Sequence, residues 1–527
     1  MSTSRSISEP AGTLAEGVAL DEFLAGVAPL AIGDRYQLVD QASVLLEGLY
    51  VHLPLKRAMH AIDPIQRLRL LTHRLESLSE LQFHAELAAI FRSLRDLHTV
   101  YQLPVPYRGH VATLGFLVER YHDEDGVARH LVTKIDPALE HAGFTAGAEL
   151  VTWNGVPIER AVEINADRAA GSNLDARLAR GLEALTLRPL RNGPPPDEHW
   201  VLLAYRSPRG RRGETRIPWR VMTAETLAGR AKDPVSTISA VLGIDAGNEA
   251  SRQVKRALFA PRRAAGAAAR ARRSVVDARP RRIAGNQVGH LRIYSFNVSG
   301  ARLFAEQIAA LVAELPRGGL IVDIRGNPGG NIPAAEAALA LLSKQPVTPV
   351  SFSLATTSGA LELSRRNPGF GRWADSIGAA VETGETYSQG FPLSDPAEIT
   401  AGLPRYPGPK VLITDALSYS AADVFAAGWQ DNRLGPILGT APHTGAGGAN
   451  VWTHGLLRLW MPDTLGPLPA GADFRVALRR VTRVNDRVGV PLEDLGVRAD
   501  SVHLLSRRDI TEDNRDLLAA AASMLSA

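Results

Sequence analysis

Lys410-Val411-Leu412-Ile413-Thr414-Asp415-Ala416-Leu417-Ser418-Tyr419-Ser420-Ala421-Ala422-Asp423-Val424-Phe425 is the stretch whose reading decides the fold. Its apolar opening has the length of a buried strand, and the residues after Ser420 have the composition of a helix. Ser420 therefore falls on a strand-to-helix turn that would expose its hydroxyl. The helix beyond offers unpaired backbone N–H groups and the positive end of a dipole. Such a turn suits a nucleophile whose product is an oxyanion. Earlier in the chain, Gly319-Leu320-Ile321-Val322-Asp323-Ile324-Arg325-Gly326-Asn327-Pro328-Gly329-Gly330-Asn331 repeats the pattern, an apolar run entering a Gly-rich loop and then an Ala-rich helix. Two such units read as neighbouring crossovers of one sheet, with both loops at the same edge.

Working outward, strands and helices alternate from residue 283 onward. Strands are expected at 288–294, 319–324 and 410–414, and helices at 301–315, 332–342 and 421–430. Residues 452–482 read as strand-rich and 513–525 as a closing helix. Upstream, Phe83, Leu87, Ile90, Phe91 and Leu94 mark one face of a helix, and His98 follows its end. Residues 110–220 are strand-rich instead. Leu114-Gly115-Phe116-Leu117-Val118 is a strand opened by a glycine, and Trp153-Asn154-Gly155 is a hairpin turn.

The 527 residues are 45 % hydrophobic and 22 % charged, ordinary values for a globular chain with a large core. No run reaches the ~18 apolar residues of a membrane span, and residues 1–20 lack the pattern of a secretion signal. A cytoplasmic location is expected. Without cysteine there is no thiolate chemistry and no disulfide. The net charge of +4 hides an uneven distribution, because residues 252–282 hold eleven Lys or Arg and a single acid, Asp277. A nucleic-acid contact is conceivable there, yet Phe259 is the only aromatic residue available for stacking, which favours a solvated linker.

Four motifs carry a resemblance. They are Asp323-Ile324-Arg325-Gly326-Asn327-Pro328-Gly329-Gly330, Ser420-Ala421-Ala422-Asp423, Leu492-Glu493-Asp494-Leu495-Gly496-Val497 and Leu94-Arg95-Asp96-Leu97-His98-Thr99. In this combination and order the chain resembles the C-terminal-processing (tail-specific) serine proteases. The Leu-Gly-Phe loop and the Asn-Gly hairpin similarly resemble a PDZ domain. The resemblance implies an α/β core of mixed sheet and helices, ClpP/crotonase-like, at 283–527. Composition and periodicity give a disordered 1–20, a helical unit at 21–109 and a linker at 223–282, and the PDZ resemblance implies an inserted β-rich unit at 110–222.

The processing branch of that family uses a lysine in the Gly-rich segment after the serine. Here 439–448 has none, whereas His98 and Glu493 match the tricorn-core-like branch. The resemblance thus implies Ser420 as nucleophile, His98 as base and Glu493 as the carboxylate that orients it. Leu97 stands where that branch has a serine, so either Glu493 contacts His98 directly or the hydroxyl of Thr99 intervenes. His443 is the competing base by spacing alone. An oxyanion hole is expected at Ala421 and in Gly329-Gly330, and peptide-terminus capture at Gly115 and Phe116. Whether that module captures tails or gates access is open. Asp323 with Arg325, and Asp431, are expected to hold loops. No metal and no cofactor are expected. The expected partners are peptide or protein substrates, and the alternative is a non-catalytic binding protein on the same fold.

Overall fold

The computed structural model describes residues 13–141, 143–223, 254–255, 258 and 275–525. Most of the basic stretch lies outside them.

The core is built on a six-stranded sheet. Its order is Val276–Ile283, Asn286–Ile293, Leu320–Asp323, Lys410–Thr414, Ile437–Gly439 and Ser501–Val502. The first pair is antiparallel and every later pair is parallel. Leu320–Asp323 and Lys410–Thr414 are buried along their whole length, as parallel strands covered on both faces must be. Alternation sorts their side chains. Leu320, Val322 and Leu412 join the main apolar core with the helices Ala301–Ala313, Ile332–Leu342 and Ala421–Asp431. Ile321, Val411 and Ile413 face the other way, onto Leu517, Leu518 and Ala521 of the closing helix Arg515–Ser523.

The expected linker extends less far than the sequence implied. Val276–Ile283 is the edge strand of the core, paired along eight positions with Asn286–Ile293. Its arginines and Pro280 are those of an edge strand that resists pairing with another chain, and this composition disguised it. Residues 13–19, expected to be disordered, form a 3₁₀ turn (Thr13–Glu16) and a two-residue strand paired with Arg220–Thr223. Burial of Leu14 anchors them.

A second sheet has four strands. Its long strand Asp473–Thr482 pairs with Ser351–Leu354, with Ala449–Thr453 and, at its start, with Val100–Gln102. The N-terminal helices Ile32–Gly48, Leu53–His60, Pro64–Thr72 and Glu80–Ser93 precede that last strand. Residues 110–223 form two further sheets and the paired helices Ile158–Ala166 and Leu174–Thr186. Among the described residues no helix is long and apolar enough to cross a membrane.

Candidate active site

Ser420 sits where the strand Lys410–Thr414 turns into the helix Ala421–Asp431, with φ 61° and ψ −121°. Positive φ is uncommon outside glycine, and it tips the side chain out of the turn. Ser420 is partly exposed, whereas Ser418 is fully buried. The Ser418 hydroxyl donates within the turn and bonds Ile324 O (3.1 Å) and Asp415 Oδ1 (2.9 Å), locking the two core loops together.

Asp423 fixes the elbow from inside. Its carboxylate accepts the N–H groups of Ser420 (3.1 Å), Gly447 (2.7 Å) and Ala446 (3.3 Å). Burial pushes its carboxyl up to about 6, against those bonds. The Asn327 loop packs alongside, and Tyr419 donates its N–H to Asn327 O at 2.9 Å. At Gly329 any Cβ would lie 2.6 Å from Ser420 Cβ and 2.7 Å from Ala421 N, so only glycine fits. The Gly329 N–H itself donates to Asn327 Oδ1 (2.9 Å). Gly330 has φ 138°, and a Cβ there would meet the Phe296 backbone at 2.3 Å.

His98 reaches this elbow through strand pairing. Val100–Gln102 aligns with Asp473–Arg475, and the Thr99 hydroxyl accepts the Ala477 N–H at 3.1 Å. Asp96 accepts the His98 N–H (2.7 Å) and the Thr99 hydroxyl (2.9 Å), so that hydroxyl is already engaged. The buried His98 ring packs on Tyr419, with centroids 4.5 Å apart.

Glu493 hangs from the same long strand, because Leu492 N–H donates to Val481 O at 3.1 Å. Ligating atoms of Asp96, His98 and Glu493 lie within 4.8 Å of one another. Three separate parts of the chain hold the Glu493 carboxylate: Lys56 Nζ (2.9 Å), Ser172 Oγ (2.6 Å) and Gly448 N (3.1 Å). Burial, with Asp96 and Asp494 nearby, pushes its carboxyl up to about 8 against the pull of Lys56 and Ser172. Asp96, His98 and Glu493 are also the one set of residues, among those described, grouped closely enough to ligate a metal. Glu493 already accepts three bonds and Asp96 two, and the Lys56 ammonium brings positive charge to the Glu493 carboxylate.

Sequence reasoning did not find Lys56. It lies on Leu53–His60, is wholly buried, and also donates to Asp494 Oδ1 (2.6 Å) and Arg95 O (3.2 Å). The carboxylates hold its ammonium above the usual lysine range despite burial. His52 was missed as well; burial lowers it to about 3, so it is neutral beside Asp96 and Lys56. No local pattern marks either residue.

His443 is turned elsewhere. Its Nδ1 is 3.0 Å from Asp175 on the helix Leu174–Thr186, and the residue bridges Arg498. Gly115 has φ 78° and donates its N–H to Thr113 Oγ1 (3.1 Å), while Leu14 lies so close that a Cβ at 115 would meet it at 2.6 Å. Phe116 is fully buried against Phe144. Asp323 pairs with Arg325 (2.8 Å) and with Arg292, and Asp431 with Arg483 (2.5 Å), so both acids hold loops as expected.

Comparison with solved structures gives mature CPAF at TM-score 0.66 and 17 % identity, covering 94 % of this chain and 97 % of that one. Mature CPAF complexed with lactacystin gives 0.65 and 16 %, covering 94 % and 98 %. At such identity these likenesses carry the fold alone. The tricorn protease is matched at TM-score 0.38 and 14 % identity, covering 94 % of this chain and 37 % of that one. Among curated protein sequences none matches. Residues 287–458, which include both core turns and Ser420, match the model of peptidase family S41. Over that stretch the α/β core is similar to peptidase family S41, and the protein is a serine-type peptidase.

Proposed function

We propose that this peptidase is an endopeptidase or carboxyl-terminal processing protease that cleaves peptide bonds through an acyl-enzyme on Ser420. The observation that carries the reading is the packing of His98 on Tyr419, the residue before a Ser420 held at positive φ on a helix N-terminus. His98 takes the hydroxyl proton as Ser420 attacks the carbonyl and returns it to the leaving amine. Glu493 orients the imidazole and stabilises its cation. The Ala421 N–H, at the first position of the helix, and that of Gly330 stabilise the oxyanion; Gly329 serves by leaving room. A water then attacks the acyl carbonyl as His98 takes its proton, and the acyl–Oγ bond breaks as His98 returns that proton to Ser420.

In the same reading the parallel core sheet is of the ClpP/crotonase kind and residues 110–222 are a PDZ-like module. Peptide capture at Gly115 and Phe116 requires the segment around Leu14 to leave, so access there is gated by the chain itself.

The test is labelling with a fluorophosphonate probe, alongside hydrolysis of a peptide set. Wild type should be labelled and active, and Ser420→Ala neither, at an unchanged melting temperature. Hydrolysis by Ser420→Ala at the wild-type rate would sink the assignment.

A further inference from the structure

A cleft of about 490 Å³ lies against the proposed nucleophile turn. Gly326, Pro328 and Leu417 form its core wall, and these belong to the two loops that carry Gly329, Gly330 and Ser420. The facing wall comes from the helix Glu80–Ser93 and the pair Ile158–Ala166 and Leu174–Thr186, with the segments beside them. That wall is cationic: among the described residues Arg92, Arg168, Arg180, Arg188, Lys255 and Arg475 line the cleft with two acids, Glu183 and Asp197.

Both acids are already engaged, Asp197 by Arg168 at 2.5 Å and Glu183 by Lys255 at 3.0 Å. Arg92 donates to a backbone carbonyl of Arg168, and Arg188 to Ala184 O and Asn165 Oδ1. Arg180 lies 5.2 Å from the Tyr419 ring centroid, one residue from Ser420. Among the described residues Arg92, Arg180 and Arg188 form no direct ion pair, and carboxylates act on Arg92 (Asp197) and Arg188 (Glu198, Asp197) only at longer range. A surplus of guanidinium charge thus lines a walled cleft. Such walls focus the field, and each planar fork suits a carboxylate.

We propose that this cleft is the docking channel for the substrate, and that it selects extended peptide segments with Asp or Glu side chains near the scissile bond. Arg180 meets the acidic residue closest to that bond, and Arg92 one further along. Which bond is cut rests on the reading of Ser420 as nucleophile; the selectivity of the channel does not.

The experiment uses full-length Ser420→Ala protein and three dye-labelled peptides, followed by fluorescence anisotropy. One peptide is acidic with blocked termini, the second replaces each Asp and Glu by Asn and Gln, and the third is the second with a free carboxyl terminus. The acidic peptide should bind about tenfold tighter than its amide counterpart, the ratio that ~1.4 kcal/mol gives, and the advantage should shrink as salt rises. Arg180→Glu in this background should erase that preference. Arg92→Glu should weaken it, and stands in if Arg180→Glu fails to melt cooperatively. Equal binding of the first two peptides overturns the proposal, as does an acidic preference that survives both reversals. A gain only for the free terminus overturns it in favour of a terminal carboxylate. Acidic binding without cleavage by the wild-type protein upholds the channel and overturns the Ser420 reading alone.

Discussion

Lys56 Nζ lies 2.9 Å from Glu493 Oε1, and solvent reaches neither side chain. The pair joins the N-terminal helices to the segment that follows the long strand, across 437 positions of sequence. Removing one member of a buried pair strands the other charge and typically costs ~3–5 kcal/mol. Lys56→Met should therefore lower the melting temperature by several degrees. It should also act on chemistry. Lys56 pulls the Glu493 carboxyl down while burial pushes it up to about 8. Activity that needs the carboxylate should rise with pH toward 8 in the wild type, and the rising limb should shift to higher pH in Lys56→Met. The pH profile of kcat/KM measures this. An unmoved limb beside a lowered melting temperature would make Lys56 a structural tie only.

Asp423 is the second internal support, holding Ser420, Ala446 and Gly447 by their N–H groups. Asp423→Asn keeps the shape but turns an amide NH₂ toward at least one of these donors. Each unmet buried group costs ~1–3 kcal/mol, and a displacement of ~1 Å at a nucleophile can cost 10²-fold in rate. The expected result is a kcat reduced ~10²-fold with KM little changed, measured on one peptide. Unchanged kcat would show that the elbow does not depend on this carboxylate.

The strand Lys410–Thr414, the helix Ile332–Leu342 and the turn at Ser420 were legible because each writes its own pattern, an apolar run, an Ala-rich face and a serine between them. The edge strand Val276–Ile283 was not, since its solvent-facing arginines and Pro280 imitate a linker. Ser420, His98 and Glu493 could be read from motifs as candidates. Lys56 and Ser172 could not, because what joins them to Glu493 is tertiary packing between distant segments. A lone lysine in Leu53-Pro54-Leu55-Lys56 looks the same in sequence whether solvated or buried.

Glu336 offers a test of the core away from the site. On the helix Ile332–Leu342 it is buried, accepts the Ser394 hydroxyl, and is pushed by burial from 4.5 up to about 7. The folded protein binds this proton more tightly than the unfolded chain. The contribution is thus fully present below pH ~4.5 and is lost as pH rises through 7, in total about 3 kcal/mol. Glu336→Gln should raise the melting temperature at pH 8 more than at pH 5. An equal shift at both pH values would mean that Glu336 titrates normally.

The choice of base gives the sharpest prediction. His443 is the closer histidine in sequence to Ser420, yet its Nδ1 faces Asp175 at 3.0 Å and its backbone bridges Arg498. His98, far upstream, packs on Tyr419 and clusters with Asp96 and Glu493. Thr99 and Val100–Gln102 fix its backbone on the long strand, which is the rigidity that a general base needs. His98→Ala should cost ~10³-fold or more in kcat, the loss typical of a triad member. His443→Ala should lose the Asp175 contact, which is partly exposed and worth under ~1 kcal/mol, and keep its rate. Turnover of both variants on one peptide, each checked for cooperative melting, decides the matter. A rate lost in His443→Ala and kept in His98→Ala would move the base to the Gly-rich segment and leave the His98, Asp96 and Glu493 cluster with a purely structural role.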